Sequence, residues 1–445
     1  MLRRFGVFVL LCWSCGGTGS PRAGSPEVGQ DRAADSIGSD SQDAGSGGGT
    51  DTGADVVAQD VPADVALDTG GETGAPAMPV PGKCTPPLDI KYPYAKLTET
   101  GCVDPQNPRR MAGVVISYDL NSPLWSDAAL KTRGMVIPAG AKIHVKDCAS
   151  NPTECCVPNL DMPGQCLPPA DDGKWVFPVG TVMVKNFMFA DAQAGMKFLE
   201  TRLFVRFDDK TWVGYGYRWN DAQTEATLVG EDGEDVTFNI AAPTGAQTVN
   251  WHYPSRKECM LCHTATKPGG GSVLGPETIQ MNRMLTGGMN QLDKLQALGV
   301  FDAPPPKPYR TALVTPYAGP EGTPAASATV EARARSYLHA NCAFCHRPDQ
   351  PFDSIDLRFD VTAMLKNAKI CNAVPAKGGL GVANATLLTP RSPATSVTWL
   401  RMNAPPADMV NGNRGRMPPV ASNVVDSNGL KLVGDWINSI ASCPL

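Results

Sequence analysis

No apolar run in this chain of 445 residues reaches the roughly 18 residues that a membrane-spanning helix needs. Histidine is scarce, with five in the whole sequence, so a site built on imidazole draws from a short list. An excess of one charge is also missing from most of the chain. Residues 16–83 hold 11 acidic and 3 basic side chains; with these and Arg3 and Arg4 set apart, the whole-chain 39 basic and 44 acidic side chains reduce to 34 and 33 over residues 84–445. A folded part so near neutrality carries no electrostatic footprint for nucleic acid, and that class is excluded. Residues 16–83 contain no aromatic residue and no cysteine. They cannot bury enough apolar surface to offset their ordering entropy, so a disordered acidic tether rich in Gly, Ser and Asp is expected there.

Cysteine, by contrast, is abundant. Fourteen are too many for a reduced cytosolic enzyme unless most of them bind metal. Residues 1–15 read as an export signal: Arg3 and Arg4 open it, Phe5 to Cys12 form a short apolar core, and Ser14-Cys15-Gly16 offers a small-residue processing site. A cysteine placed this way resembles a bacterial lipoprotein box, with Cys12 standing where that family prefers leucine. The resemblance implies lipidation at Cys15 and a membrane held by a lipid anchor. The mature protein is expected outside the cytoplasm, in the periplasm or at the outer membrane or cell surface.

From Cys84 to about residue 250 the texture is β-rich. Short runs such as Gly113-Val-Val-Ile-Ser-Tyr118, Trp175-Val-Phe177, Thr181-Val-Met-Val184, Leu203-Phe-Val-Arg-Phe207 and Trp212-Val-Gly-Tyr-Gly-Tyr217 are broken by turn residues. That pattern predicts an antiparallel sandwich or barrel. Its tryptophans read as core rather than as a sugar-binding platform. Leu124-Trp-Ser-Asp127 and Arg218-Trp219-Asn220-Asp221 place polar groups beside aromatics without pairing a nucleophile with a base.

Two segments carry chemistry: Cys259-Met260-Leu261-Cys262-His263 and Cys342-Ala343-Phe344-Cys345-His346. Cys-x-x-Cys-His is the attachment signature of c-type haem. Thiols three residues apart on a helical turn each add to one porphyrin vinyl group, and the next residue puts an imidazole beneath the iron. At frequencies of 14 and 5 in 445, two chance matches are expected in about 10⁻⁵ chains. A zinc site wants paired further ligands and a thioredoxin-like site a βαβ context. Two covalently bound c-type haems are therefore expected, held by Cys259, Cys262, Cys342 and Cys345, with His263 and His346 as iron ligands.

Val330, Ala334, Tyr337 and Leu338 form one helix face running into Cys342; Leu430, Val433, Ile437 and Ile440 form another, with Asp426 or Ser427 as N-cap. Arg416-Met417-Pro418-Pro419 lies between them. This order resembles class I cytochrome c over residues 329–443, which implies that Met417 is the sixth ligand of the second haem, on a strap stiffened by two prolines. Met402 and Met409 read as gap-filling core residues instead. For the first haem the sixth ligand stays open among Met281, Met284, Met289, His252 and His339. The three methionines fall on or just beyond a helix expected from about Pro276 to Leu285. His339 lies about one helical turn before Cys342.

Trp251-His-Tyr-Pro-Ser-Arg256, Leu274-Gly-Pro-Glu-Thr278, Gln280-Met-Asn-Arg283, Asn290-Gln-Leu292 and Tyr337-Leu-His-Ala-Asn-Cys342, with Leu124-Trp-Ser-Asp127 and Tyr217-Arg-Trp-Asn220 upstream, resemble an exported dihaem c-type cytochrome family of environmental bacteria. The resemblance spans about residues 86–443. Members of that family stand beside or fused to quinoprotein sugar dehydrogenase-like modules, which implies electron transfer with redox partner proteins, a quinoprotein dehydrogenase among the candidates. That family carries leucine where Met281 stands, so the resemblance favours His339 over Met281 as a ligand.

Setting aside Cys12, Cys15 and the four motif thiols leaves Cys84, Cys102, Cys148, Cys155, Cys156, Cys166, Cys371 and Cys443. An even number outside the cytoplasm suggests four disulfides: Cys84–Cys102, Cys371–Cys443 and two local bridges among the rest, without a vicinal Cys155–Cys156 bond. The expected architecture is multidomain: a signal or lipoprotein peptide at 1–15, the tether at 16–83, a β-rich domain at 84–250, a first haem segment at 251–328 and a class I cytochrome c-like helical domain at 329–445. The expected function is an electron relay outside the cytoplasm. A peroxidase-like dihaem enzyme with an open first haem, and a carbohydrate- or partner-binding β-module with accessory haems, are the alternatives.

Overall fold

The apolar runs between residues 116 and 228 close into one sheet. The computed structural model describes residues 83–87, 89–155, 157–158, 166–167, 172–191, 195–242, 245–263, 273–309, 311–319, 322–347, 350, 354–359, 365–405, 415–419 and 422–444. The chain divides into two units, Met1–Glu72 and Thr73–Leu445, and every described residue belongs to the second. The export segment, lipidation at Cys15 and the tether up to residue 82 fall outside the described residues, as does Met409.

Six antiparallel strands build the sheet: β1 (Ile116–Tyr118), β2 (Leu130–Val136), β3 (Val182–Asp191), β4 (Gly195–Arg206), β5 (Trp212–Trp219) and β6 (Ala226–Leu228). Their spatial order equals their chain order, a plain meander. Among the described residues β1 and β6 are not paired with each other, so the sheet is open; of the expected sandwich or barrel, the several antiparallel sheets are consistent with the sandwich. Val182 pairs with Val205 and Val184 with Leu203, and the register shifts between Phe198 and Glu200. Both faces of the sheet are covered. Val182, Val184, Leu203, Val205, Tyr215 and Tyr217 pack on one side with Leu97, Cys84 and Cys102. Met183, Phe204 and Trp212 pack on the other with Trp175, Met281, Leu292, Leu295 and Phe301. Two-sided burial explains why these strands read as continuous apolar runs rather than as alternation. It also shows that the segment after the first motif shares a core with the strands.

A hairpin of β7 (Glu234–Ala242) and β8 (Gly245–Tyr253) follows. Its Val249, Trp251 and Tyr253 bury against Phe187, Phe189 and Leu199. Trp175, Trp212, Trp219 and Trp251 are all buried, which is the core role expected of them.

Helices take over from residue 256: α1 (Arg256–His263), α2 (Thr278–Met281), α3 (Gln291–Ala297), α4 (Val330–Asn341), α5 (Val397–Asn403) and α6 (Ser427–Ser439). The helix expected from Pro276 to Leu285 is a single turn. Gly287 and Gly288 adopt left-handed φ of 102° and 84°, and Leu285 N–H donates to Met289 O at 2.9 Å, so the chain turns back where the helix was to continue. The two later faces match expectation. Ala334, Tyr337 and Leu338 of α4 pack with Leu432, Val433 and Ile437 of α6, and Asp426 caps α6 by accepting from Gly429 N–H at 2.8 Å. The helices approach closely at Gly429, where a Cβ would meet the Tyr337 ring at 2.5 Å.

Disulfides Cys84–Cys102 and Cys371–Cys443 form as nearness in sequence suggested, and Cys148–Cys155 is one of the local bridges. Cys156 and the Cys166 side chain lie outside what is described.

Candidate functional site

Helix α1 starts on a reciprocal cap. Glu258 N–H donates to Ser255 Oγ at 3.2 Å, and Ser255 N–H donates to Glu258 Oε2 at 2.8 Å. This fixes the register in which Cys259, Cys262 and His263 follow. The helix lies on the sheet face that carries Glu200, Arg202, Phe204 and Gly214. Cys259 rests on Gly214, where a Cβ would come within 2.9 Å of Cys259 Cβ and Sγ. The His263 ring packs on Phe204, with centroids 4.2 Å apart. Glu200 holds Arg202 through bonds of 2.6 and 2.9 Å and also accepts from Trp251 Nε1 at 3.0 Å. A positive charge is thereby fixed beneath the first pair of thiols.

The second motif follows α4, whose N-cap Thr329 accepts from Ala332 N–H at 3.1 Å. Cys342 ends the helix, and Cys345 and His346 N–H both donate to Cys342 O, at 3.1 and 3.0 Å. The motif is therefore a hydrogen-bonded turn rather than part of a helix. His346 O accepts from Leu357 N–H at 2.9 Å.

The two motifs meet. The Cys262 and Cys345 side chains lie within hydrogen-bonding reach of each other, and this contact, with Arg202 beside it and against the effect of burial, lowers the Cys262 pKa while raising that of Cys345. Burial pushes Cys259 up to about 11 and Cys342 up to about 12. Among the described cysteines these four alone are outside disulfides. They do not converge as a metal cage: among the described residues the one cluster of three or more such donors is Cys148, Cys155 and Asp172, and both of its cysteines are already bonded to each other. A tetrathiolate zinc site is thus not assembled, whereas two separate helix-end thiol pairs, each followed by histidine, suit two thioether-linked porphyrins.

Met417 sits on a strap anchored by its neighbours. Its N–H donates to Arg401 O at 3.0 Å, and buried Arg416 donates to Ala404 O at 2.8 Å and Ser422 O at 2.6 Å. Met417, Met402, Tyr337 and Trp125 line one narrow cavity. Met402 is also part of the helical core, in keeping with the gap-filling role expected of it.

The histidines outside the motifs are all engaged. His339 Nδ1 accepts from Phe359 N–H at 3.0 Å and Nε2 donates to Glu277 Oε1 at 2.5 Å. Glu277 is further paired with Lys174. His252 bonds Asp235 at 2.9 Å and Glu258 at 3.0 Å, and His144 bonds Asp302 and Glu154, both at 2.8 Å. Ligation of iron by His339, read from its spacing to Cys342, requires the loss of one of its two bonds. The expected alternatives Met284 and Met289 are exposed, and Met281 is fully buried with its sulfur accepting from Gln291 Nε2 at 3.5 Å.

Sequence reasoning set aside Leu124-Trp-Ser-Asp127 as inert, yet this loop joins the β-region to both haem-motif segments. Trp125 N–H donates to Asn341 Oδ1 at 2.7 Å and its indole N–H to Val424 O at 3.0 Å; Asp127 accepts from Val424 N–H at 2.7 Å. Ser122 Oγ donates to Ser336 O at 2.9 Å, and the Gln280 amide pairs with both Ser122 N–H and O, at 2.9 and 2.8 Å. Ser122, Asp127, Gln280 and Asn341 of this seam are buried and hydrogen-bonded, while the buried Ser126 hydroxyl has no partner. The available signal was the recurrence of buried-type polar residues beside aromatics. Comparison of this chain with protein families, with curated proteins and with solved structures finds no match.

Proposed function

We propose that this chain is an exported, lipid-anchored dihaem c-type cytochrome that relays electrons between redox partner proteins outside the cytoplasm, a quinoprotein dehydrogenase being the candidate donor. The observation that carries this reading is that the four motif thiols stay outside disulfides in a chain whose other described cysteines are bridged, each pair with a histidine directly after it. A bound porphyrin iron supplies a reversible one-electron couple. Cys259 and Cys262 anchor one group and Cys342 and Cys345 the other, with His263 and His346 as ligands. Phe204 supports the His263 ring, and the sheet beneath α1 excludes water from that side. Met417 presents its thioether as the sixth ligand of the second group, which closes that iron to substrates.

The test is secretion together with a periplasmic haem-attachment system, followed by haem-stained gels and mass spectrometry. Two covalent haems are expected, one lost in Cys259→Ala/Cys262→Ala and the other in Cys342→Ala/Cys345→Ala. Colourless protein of unmodified mass overturns the reading.

A second reading rests on the commitment of all three non-motif histidines to protein partners. With imidazole taken up elsewhere, a first iron open to peroxide fits a peroxidase-like enzyme fed by the Met417 site. Carbon monoxide binding to one haem of the reduced protein supports that enzyme; two inert low-spin haems support the relay.

A further inference from the structure

We infer that Trp125, from the β-region, is a positioning residue for the Met417 strap. The inference rests on the reading of Met417 as an iron ligand and adds a determinant from outside the helical domain.

Three bonds of one short loop carry it. The indole N–H of Trp125 donates to Val424 O at 3.0 Å, while Asp127 two residues on accepts from Val424 N–H at 2.7 Å. Both backbone polar groups of Val424 are thus taken by the same loop, two residues after Ser422, whose hydroxyl donates to Pro418 O and whose carbonyl accepts from Arg416. The backbone N–H of Trp125 donates to Asn341 Oδ1 at 2.7 Å, and Asn341 Nδ2 in turn donates to Tyr337 O at 3.0 Å. Asn341 is the residue directly before Cys342. The loop therefore holds the end of the thiol-bearing helix with one hand and the methionine-bearing strap with the other, and the Trp125 ring lines the cavity that Met417, Met402 and Tyr337 share.

Next to Val424, Asn423 Nδ2 donates to Asn250 O of the hairpin at 2.9 Å, whereas Arg416 to Ala404 and Ser422 and Met417 to Arg401 run within the helical domain. Asp127 and Ala128 adopt left-handed φ of 48° and 65°, a conformation that non-glycine residues hold only where surrounding contacts impose it. Asp127 is itself 1 % exposed, so its carboxylate is a built acceptor and not a solvated side chain. The spacing between strap and helix end, and hence the seat of the Met417 sulfur, is set by a loop some three hundred residues upstream in sequence.

The experiment uses the full, haem-loaded protein. The readouts are the weak far-red sulfur-to-iron charge-transfer band of the oxidised form and the midpoint potential of the second haem. Trp125→Phe, which keeps a ring and removes the N–H donor, is expected to lose band intensity and to lower that potential while the first haem titrates as in the parent. Asp127→Ala is expected to do the same, and Asp127→Asn, which retains an acceptor oxygen, to restore both. Trp219→Phe is the control for lost stability alone, because Trp219 donates to Thr201 within the sheet at 2.9 Å; it is expected to leave band and potential unchanged. Parent-like band and potential in both Trp125→Phe and Asp127→Ala overturn the inference. A parent protein that carries two haems and lacks the band instead removes Met417 as a ligand, and a parent without haem removes the functional reading itself.

Discussion

Cys262 and Cys345 belong to different Cys-x-x-Cys-His motifs, yet their side chains lie within hydrogen-bonding reach of each other. Each is the second thiol of its motif. Were haems linked through these sulfurs, as proposed, two of their thioether bonds would lie side by side, and the charge of one iron would be felt at the other.

The two haems should therefore titrate as an interacting pair. Potentiometric titration of the loaded protein should differ from the sum of the curves of the two single-haem variants, Cys259→Ala/Cys262→Ala and Cys342→Ala/Cys345→Ala. A curve equal to that sum means that the irons do not sense each other. Broadening of the fully oxidised electron paramagnetic resonance spectrum, relieved on half-reduction, checks the same claim without a variant.

Gly214 gives the first motif its seat. An added Cβ would stand 2.9 Å from Cys259 Cβ and Sγ, and α1 is fixed by its cap, so the helix has to lift. Gly214→Ala should cost about 1–3 kcal/mol of stability and lower covalent haem at the first motif while the second is filled. Chemical denaturation and haem counting on the two single-motif backgrounds separate these effects.

Replacing Met417 by leucine should lower the potential of the second haem and open it to carbon monoxide, since a thioether opposite histidine favours the ferrous state. The spectrum of the reduced variant under carbon monoxide should show one more ligated haem than the parent.

Burial works against the charged form of Glu277, but Lys174 and His339 outweigh it and hold the carboxyl well below the usual range. A carboxylate whose folded pKa is depressed stabilises the fold above its unfolded value of about 4.3 and loses that contribution as pH falls further. Glu277→Gln should thus be less stable at neutral pH, by roughly 3–5 kcal/mol for a broken buried pair, and its stability should fall less steeply than the parent's on acidification below about pH 4. Urea melts across that range give both slopes.

The Cys371–Cys443 bridge closes a loop with a sequence separation of 72. Replacing both cysteines by serine should cost about 4 kcal/mol through the freed chain entropy of the unfolded state. The change is expected in the denaturation midpoint, with both haems still attached.

Much of this was legible in the sequence because it is local. The spacing of Ala334, Tyr337 and Leu338 and of Val433 and Ile437 predicted two helices that do pack together, and the runs around Val182–Val184 and Leu203–Val205 are strands. Nearness in sequence was enough for Cys84–Cys102 and Cys371–Cys443. What escaped depends on distant partners. His339 was read from its spacing to Cys342, but its ring is oriented by Glu277, 62 residues away. Trp125 looked idle because its partners Asn341 and Val424 lie 216 and 299 residues downstream. The helix expected from about Pro276 to Leu285 stops at Met281, and the chain turns back at Gly287 and Gly288.

In this sheet β3, β4 and β5 pair through short connections that close early, whereas β2 meets β3 only across residues 137–181. Synthesis delivers the amino-terminal side first. By the time Cys259 emerges, all six strands of the meander and the hairpin at 234–253 have been delivered, while the rest of the core on the Phe204 face, Met281, Leu292 and Phe301, is still to come. The helix before the second motif packs on residues 427–439, almost the last to appear. On the proposed reading, a cofactor at Cys342 and Cys345 would be attached before their helix meets its partner, whereas the strands under Cys259 precede it in the chain.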